Sequence, residues 1–170
     1  MTELTAGQNI VVGVDGSEAS MAALRWATAQ AHALHAEVVA VHAWEPVGPR
    51  LAPYAPASAR PTLAEERAEA ARLLAETLRG VFGARIDSAV RAVVKEGPPV
   101  RVLLGSAHDA VLLVLGRTAH GQGERPAIGA VGRECLRHAT VPVVAVPVGE
   151  RPASPLRAVR TEPLPNRGVA

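Results

Sequence analysis

Asp15-Gly16-Ser17 sets a carboxylate and a hydroxyl two residues apart at the end of an apolar run, Ile10-Val11-Val12-Gly13-Val14. A triplet of this kind suits a turn that starts a helix, with Ser17 as its cap, or a phosphate-holding loop. Ser17 does not read as a nucleophile, because no Gly-x-Ser-x-Gly elbow surrounds it, and Gly105-Ser106 fails the same test. His32 and His35 lie one helical turn apart, the spacing of two metal ligands, but no companion cysteine, histidine or aspartate completes a site. They read as a solvated helix face. His138, near a helix end, reads as a partner of the helix dipole. Cys135 lies on an apolar helix stripe and reads as a small core residue. No catalytic residue and no metal ligand is assigned.

The elements that must position these residues follow from apolar period. The run at 10–14 has strand length, and Met21, Leu24, Ala27, Ala31 and Leu34 at three- and four-residue spacing predict an amphipathic helix after Ser17. Val38-Val39-Ala40-Val41-His42-Ala43-Trp44 is the second strand. Residues 46–61, rich in proline and alanine without period, read as a long loop. Thr62-Leu63-Ala64-Glu65 is a capping box. It opens a helix with Leu63, Ala70, Leu74, Leu78 and Val81 on its apolar stripe and Glu65, Glu69, Arg72, Glu76 and Arg79 on its wet face.

Residues 86–94 form a third strand, Gly97-Pro98-Pro99 opens a short helix over 100–108, and residues 111–115 form a fourth, fully buried strand. A polar loop over 116–126 leads to a helix from about Pro126 to His138, and Val143-Val144-Ala145-Val146 is the fifth strand. Continuous apolar strands alternating with helices imply α/β architecture, a doubly wound parallel sheet covered on both faces. Ligands of such sheets sit at the carboxyl ends of the strands. The candidate regions are therefore Asp15-Gly16-Ser17, the end of strand two, and residues 116–130.

Composition narrows the classes. The chain has 170 residues, one domain's worth, and 48% apolar residues supply its core. Only Trp26, Trp44, Tyr54 and Phe82 are aromatic, so there is no base-stacking platform for nucleic acid. The formal charge is only +2, and the four arginines and two glutamates from Glu150 onward account for all of it. A nucleic-acid-wrapping body is disfavoured. The single cysteine excludes an intrachain disulfide, no apolar run is long enough for a membrane span, and no secretory signal opens the chain. The expectation is a cytoplasmic protein: residues 1–8 a flexible N-terminus, 9–149 the domain, and 150–170 a disordered tail containing proline and arginine.

Ile10-Val11-Val12-Gly13-Val14-Asp15-Gly16-Ser17, Gly97-x-Pro99 and the segment from Val114 to Val146 together resemble the universal stress protein family. The most specific stretch is Gly129-Ala130-Val131-Gly132-Arg133-Glu134-Cys135-Leu136-Arg137-His138, followed by Ala139-Thr140-Val141-Pro142-Val143. The resemblance implies a five-stranded sheet in the order 3-2-1-4-5. It also implies a stress-response regulatory protein that binds an adenine nucleotide, ATP with Mg²⁺, at the ends of strands one and four. An enzyme is not expected beyond slow ATP turnover. By the resemblance Asp15 contacts the adenosine part and Val41 places a backbone group beside adenine.

The family's G-x2-G-x9-G-[ST] motif maps to Gly116, Ala119, Gly129 and Ala130, with Val131 following, so two of its four elements are replaced. If position 119 needs a left-handed backbone, alanine costs on the order of 1–2 kcal/mol. The hydroxyl absent at 130 removes a bond to a charged group worth about 1.5–3 kcal/mol. Together these weaken binding by on the order of a hundredfold. Arg117, His120, Arg125 and Arg133 are the compensating positive groups, the first three as phosphate contacts. The rival readings are a dimeric interaction protein of the same family that binds no nucleotide, and an enzyme of a related nucleotide-handling class. The absence of a Ser-Gly-Gly-x-Asp-Ser loop counts against the enzyme.

In the implied order strand five is an edge. An uncharged run bracketed only by Pro142 and Pro147 is an aggregation hazard unless paired, so a homodimer is expected through Val141, Val143, Val144 and Val146.

Overall fold

A computed structural model of the chain describes residues 9–47, 61–84, 90–118 and 128–149. Nine elements alternate: β1 Asn9–Gly13, α1 Glu18–Leu34, β2 Glu37–Trp44, α2 Leu63–Phe82, β3 Val90–Glu96, α3 Pro99–Ala107, β4 Leu112–Arg117, α4 Ala130–His138 and β5 Val143–Pro147. The strands form one five-stranded sheet in the order β3-β2-β1-β4-β5, with every neighbouring pair parallel. The doubly wound α/β fold expected from the sequence is the one observed. The expected N-terminal arm, most of the loop over 46–61 and the tail lie outside the described residues, as do residues 119–127.

Each boundary has a local cause. Ser17 caps α1 by accepting from the Ser20 amide at 3.1 Å. His35 closes the helix at φ 51°, and Ala36 N–H then donates to Ala31 O at 3.0 Å. Thr62 and Glu65 form the anticipated capping box: Glu65 N–H donates to Thr62 Oγ1 at 3.2 Å and Thr62 N–H to Glu65 Oε2 at 2.7 Å. Pro99 begins α3 at a position where its missing N–H costs nothing. Several expected boundaries shift. β3 runs on to Glu96, where Gly97 N–H still bonds Trp44 O of β2, and β4 runs on to Arg117, so Gly116 and Arg117 belong to the strand and not to the loop. β1 stops at Gly13, because Gly16 turns the chain at φ 84° just beyond. α4 starts at Ala130 rather than near Pro126, because Ile128 and Gly129 are not helical and Gly129 is the extended N-cap.

The core is two aliphatic clusters, one on each face of the sheet. Leu24, Ala27 and Ala31 of α1 and Leu74 and Leu78 of α2 cover Ile10, Val12, Val38, Ala40 and Val114. Leu103 and Ala107 of α3 and Cys135 of α4 cover Val11, Val39, Val41, Leu113 and Leu115. Leu63, expected on the apolar stripe of α2, is 56% exposed; its neighbours Ala64 and Glu65 in the first turn of that helix are exposed too, and the buried stripe begins at Ala70.

At Gly116, α1 lies directly against β4. A Cβ on Gly116 would lie 2.2 Å from the carbonyl carbon of Ala19 and 2.7 Å from the amide nitrogen of Ser20. Backbone cannot yield as a side chain end can, so Gly116→Ala should destabilise the fold by about 3 kcal/mol or more. Gly105, exposed within α3 with no heavy atom inside 4 Å of its Cβ direction, should respond oppositely. Gly105→Ala should stabilise by about 0.5–1 kcal/mol, since alanine is the better helix former. Urea unfolding with m unchanged measures both. A Gly116→Ala protein as stable as wild type would mean that α1 does not lie on β4.

Candidate functional site

The strands end at different heights. β1 pairs with β2 only as far as Gly13 opposite Val41, whereas β2 continues to Trp44 and β4 to Arg117. A cavity of about 370 Å³ occupies the step this leaves at their carboxyl ends. Asp15, Ser17 and Ser20 form one wall, Val41, His42 and Ala43 a second, and Gly129 to Gly132 at the start of α4 a third. Leu103 and Leu115 close the base below Gly13, where a Cβ would come within 2.7 Å of Leu115 Cδ2. A glycine inside a strand marks such a close approach.

Asp15 is held by its own turn. Its Oδ1 accepts from Ser17 N–H at 3.0 Å and from the Ser17 hydroxyl at 2.5 Å. Partial burial would raise the Asp15 carboxyl, but the hydrogen bonds from Ser17, with a lesser one from Ser20, outweigh it and hold the group below its ordinary range. The carboxylate stays ionised near neutrality. Ser17 is occupied as cap and as donor to Asp15, which leaves it no role as a nucleophile.

The two helix starts differ. Ser17 satisfies an amide at the start of α1, while Gly129 gives α4 no side-chain cap. The start of α4 thus lines the cavity without a side-chain cap, and the positive end of the helix dipole lies there. Gly129 has an ordinary φ of −61° and nothing within 4 Å of its Cβ direction, so it leaves open space beside that helix start. Arg133 reaches back to donate to Ile128 O at 3.1 Å, fixing the chain as it enters α4.

Of the residues singled out in the sequence, Asp15, Val41, Gly116, Gly129, Ala130 and Val131 all line this cavity. Ala119, His120 and Arg125 lie outside the described residues. Arg117 is not on the wall. It stands two residues beyond Leu115, on the same face of β4, and its Nε is buried with no hydrogen-bond partner. Val41 O already accepts from Val14 N–H at 2.9 Å. Gly97 N–H donates to Trp44 O at 2.8 Å, so even-numbered residues of this part of β2 turn toward β3 and odd-numbered ones toward β1. Ala43 thus turns its backbone groups toward the cavity, past the last paired residue of β1.

His32 and His35 are exposed, and no group of three or more metal-ligating side chains occurs among the described residues. Cys135 is fully buried, and burial, with the charge of Glu134, pushes its thiol up. No helix among the described residues is long and apolar enough to cross a membrane. Sequence reasoning missed His42, Ala43, Ser20 and Gly13. The available signal for His42 was its polarity: it is the one polar residue in the run from Val38 to Ala43.

Comparison with known proteins agrees with the fold. The model of the universal stress protein family matches residues 7–147. A universal stress protein of Mycobacterium tuberculosis is 34% identical over 151 residues, covering 86% of this chain and 46% of that protein. The chain thus spans about half the length of the relatives it matches. Among solved structures, it is similar to a universal stress protein in complex with cAMP (24% identity, TM-score 0.56, 85% of this chain and all of that one). It is also similar to one from Archaeoglobus fulgidus in complex with dAMP (23% identity, TM-score 0.58, 84% of this chain and 99% of that one).

The Asp15–Ser17 turn predicts a pH effect. A carboxylate whose folded pKa is depressed adds stability above its unfolded pKa and loses it as pH falls through the lower, folded value. Ser17→Ala removes both the cap and the hydroxyl donor to Asp15, leaving the amide donor in place. It should cost about 1 kcal/mol at neutral pH and flatten the loss of stability on acidification below the ordinary carboxylate range. Denaturant midpoints across pH 2–7 read both. An unchanged acid limb would show that the Ser17 hydroxyl does not hold Asp15 ionised.

Proposed function

The chain belongs to the universal stress protein family, and on that premise we propose that it is a regulatory, adenine-nucleotide-binding protein of the stress response, working in the cytoplasm. One observation carries the reading. A single cavity joins an ionised carboxylate, an open backbone edge and an uncapped helix start, the three groups that ribose hydroxyls, an adenine edge and phosphate respectively require. Adenine lies against the end of β2, with Val41 as wall and Ala43 as backbone partner. The ribose lies toward Asp15, and the phosphates lie at Gly129, Ala130 and Val131. Gly116 lets α1 close over β4 and so shapes the floor.

Positive charge comes from His120 and Arg125 as phosphate contacts and from the guanidinium of Arg117, which stands behind the wall two residues beyond Leu115. ATP is the physiological ligand, with Mg²⁺ as counter-ion to its phosphates. That two solved neighbours hold cAMP and dAMP supports the adenine preference. The free, buried thiol of Cys135 is in keeping with a reducing compartment.

Ala130 favours a second reading, an interaction protein that binds no nucleotide, because the first turn of α4 lacks the phosphate-binding hydroxyl. Titration of the purified full chain with ATP, ADP and AMP separates the two, with Trp44, next to Ala43, as fluorescence reporter. Binding is expected, and Ala119→Gly with Ala130→Ser should tighten it by on the order of a hundredfold. Flat titrations for all three nucleotides would leave the interaction protein.

The homodimer is proposed through β5, which among the described residues pairs only with β4 and keeps Val143, Val144 and Ala145 half-buried in the single chain. Leu113 N–H donates to Pro142 O and Val148 N–H to Arg117 O, so even-numbered residues of β5 bond inward to β4. Val143 and Ala145 turn their backbone groups outward, while the side chains of Val144 and Val146 join the core cluster. A charge at Val144 would strike the core, so Ala145→Pro is the cleaner test: it removes one outward N–H and no bond to β4. Sedimentation should show a wild-type dimer and an Ala145→Pro monomer of unchanged circular dichroism. A monomeric wild type at high micromolar concentration would sink the dimer.

A further inference from the structure

We propose that His42 is a positioning residue for Asp15: by donating from Nδ1 to the Val14 carbonyl, it fixes the backbone from which the Asp15 carboxylate is presented to the cavity. The inference starts where β1 ends. Gly13 is the last residue of β1 in register with β2, so Val14 leaves the sheet while only 4% exposed. Its N–H still reaches Val41 O at 2.9 Å. A buried carbonyl here needs a donor, and His42 Nδ1 lies 2.7 Å from Val14 O. A carbonyl oxygen only accepts, so Nδ1 carries the proton.

That carbonyl belongs to the peptide joining Val14 to Asp15. Its plane is thereby set by β2, a strand 28 residues further along the chain. Beyond Asp15, Gly16 turns at φ 84° and Ser17 grips Oδ1 from its amide and its hydroxyl. The carboxylate is held at two points, from behind by the imidazole and in front by the start of α1. Releasing the rear point frees the rotation about the backbone that feeds the carboxylate, while α1 keeps its place through Gly116.

The inference rests in part on the nucleotide reading, so its test has one arm that does not. In the full chain without ligand, the Asp15 carboxyl is followed by carbon-13 NMR across pH in wild type, His42→Leu and His42→Asn. Asparagine places its amide nitrogen where Nδ1 stood. Wild type and His42→Asn should titrate below the ordinary carboxylate range, and His42→Leu should move up toward it. If His42→Leu does not fold, His42→Gln, whose amide overshoots that place, takes its part with the same expectation.

The second arm is AMP affinity. His42→Leu should weaken it about tenfold, the worth of one hydrogen bond, and His42→Asn should restore most of it. Adding His42→Leu to Asp15→Ala should then cost nothing more, because the imidazole acts through the carboxylate. An Asp15 titration indifferent to His42→Leu, or full additivity of the two substitutions on AMP affinity, would overturn the proposal. If AMP fails to bind wild type while the Asp15 titration still follows residue 42, the nucleotide reading falls and the positioning role stands.

Discussion

Where α1 crosses β4, the backbone of Ala19 and Ser20 occupies the space that any side chain at Gly116 would need. Much of the site follows from that contact. It seats the first turn of α1 on the sheet, so the Asp15-Gly16-Ser17 turn comes to rest over the carboxyl ends of β1 and β4 instead of swinging clear. With α1 so close, Ser20 is buried, and its hydroxyl returns to Ser17 O at 2.8 Å. Ser17 is then free to cap with one lone pair and to donate its proton to Asp15. A single missing side chain therefore governs the position of a carboxylate on another element.

The site divides its electrostatics between two helix starts. At α1 the orphan amides are partly satisfied from within, by Ser17, and the acidic group beside them is kept ionised by hydrogen bonds. At α4 no side chain performs that service, and Gly129 leaves the approach open. A ligand with hydroxyls at one end and negative charge at the other meets complementary groups at both. Between them the wall is aliphatic and backbone, from Val41, Ala43, Leu103 and Leu115. A flat heterocycle suits such a wall.

The sheet itself is a conventional aliphatic construction, but its two edges are unlike. β3 carries Arg91, Lys95 and Glu96, and Lys95 is tied to Ser106 of α3 at 2.9 Å. Charges of this kind protect an edge. β5 carries none.

Much of this architecture was legible in the residues. Apolar runs and periods marked the strands and the helices α1 and α2, and Ser17, Thr62 with Glu65, and Pro99 marked helix starts, because caps and periods act over a few neighbouring residues. The family resemblance gave the strand order and six of the residues that line the cavity: Asp15, Val41, Gly116, Gly129, Ala130 and Val131. Three things had to wait for the tertiary structure. The strands stop at different heights, and that step makes the cavity. Gly116, read from sequence as part of a phosphate loop, has its Cβ direction filled by α1. His42, read as one more residue of a strand, reaches across to Val14. Each depends on groups brought together through space from distant parts of the chain, and local period carries no record of which distant backbone will lie within 3 Å of a given side chain.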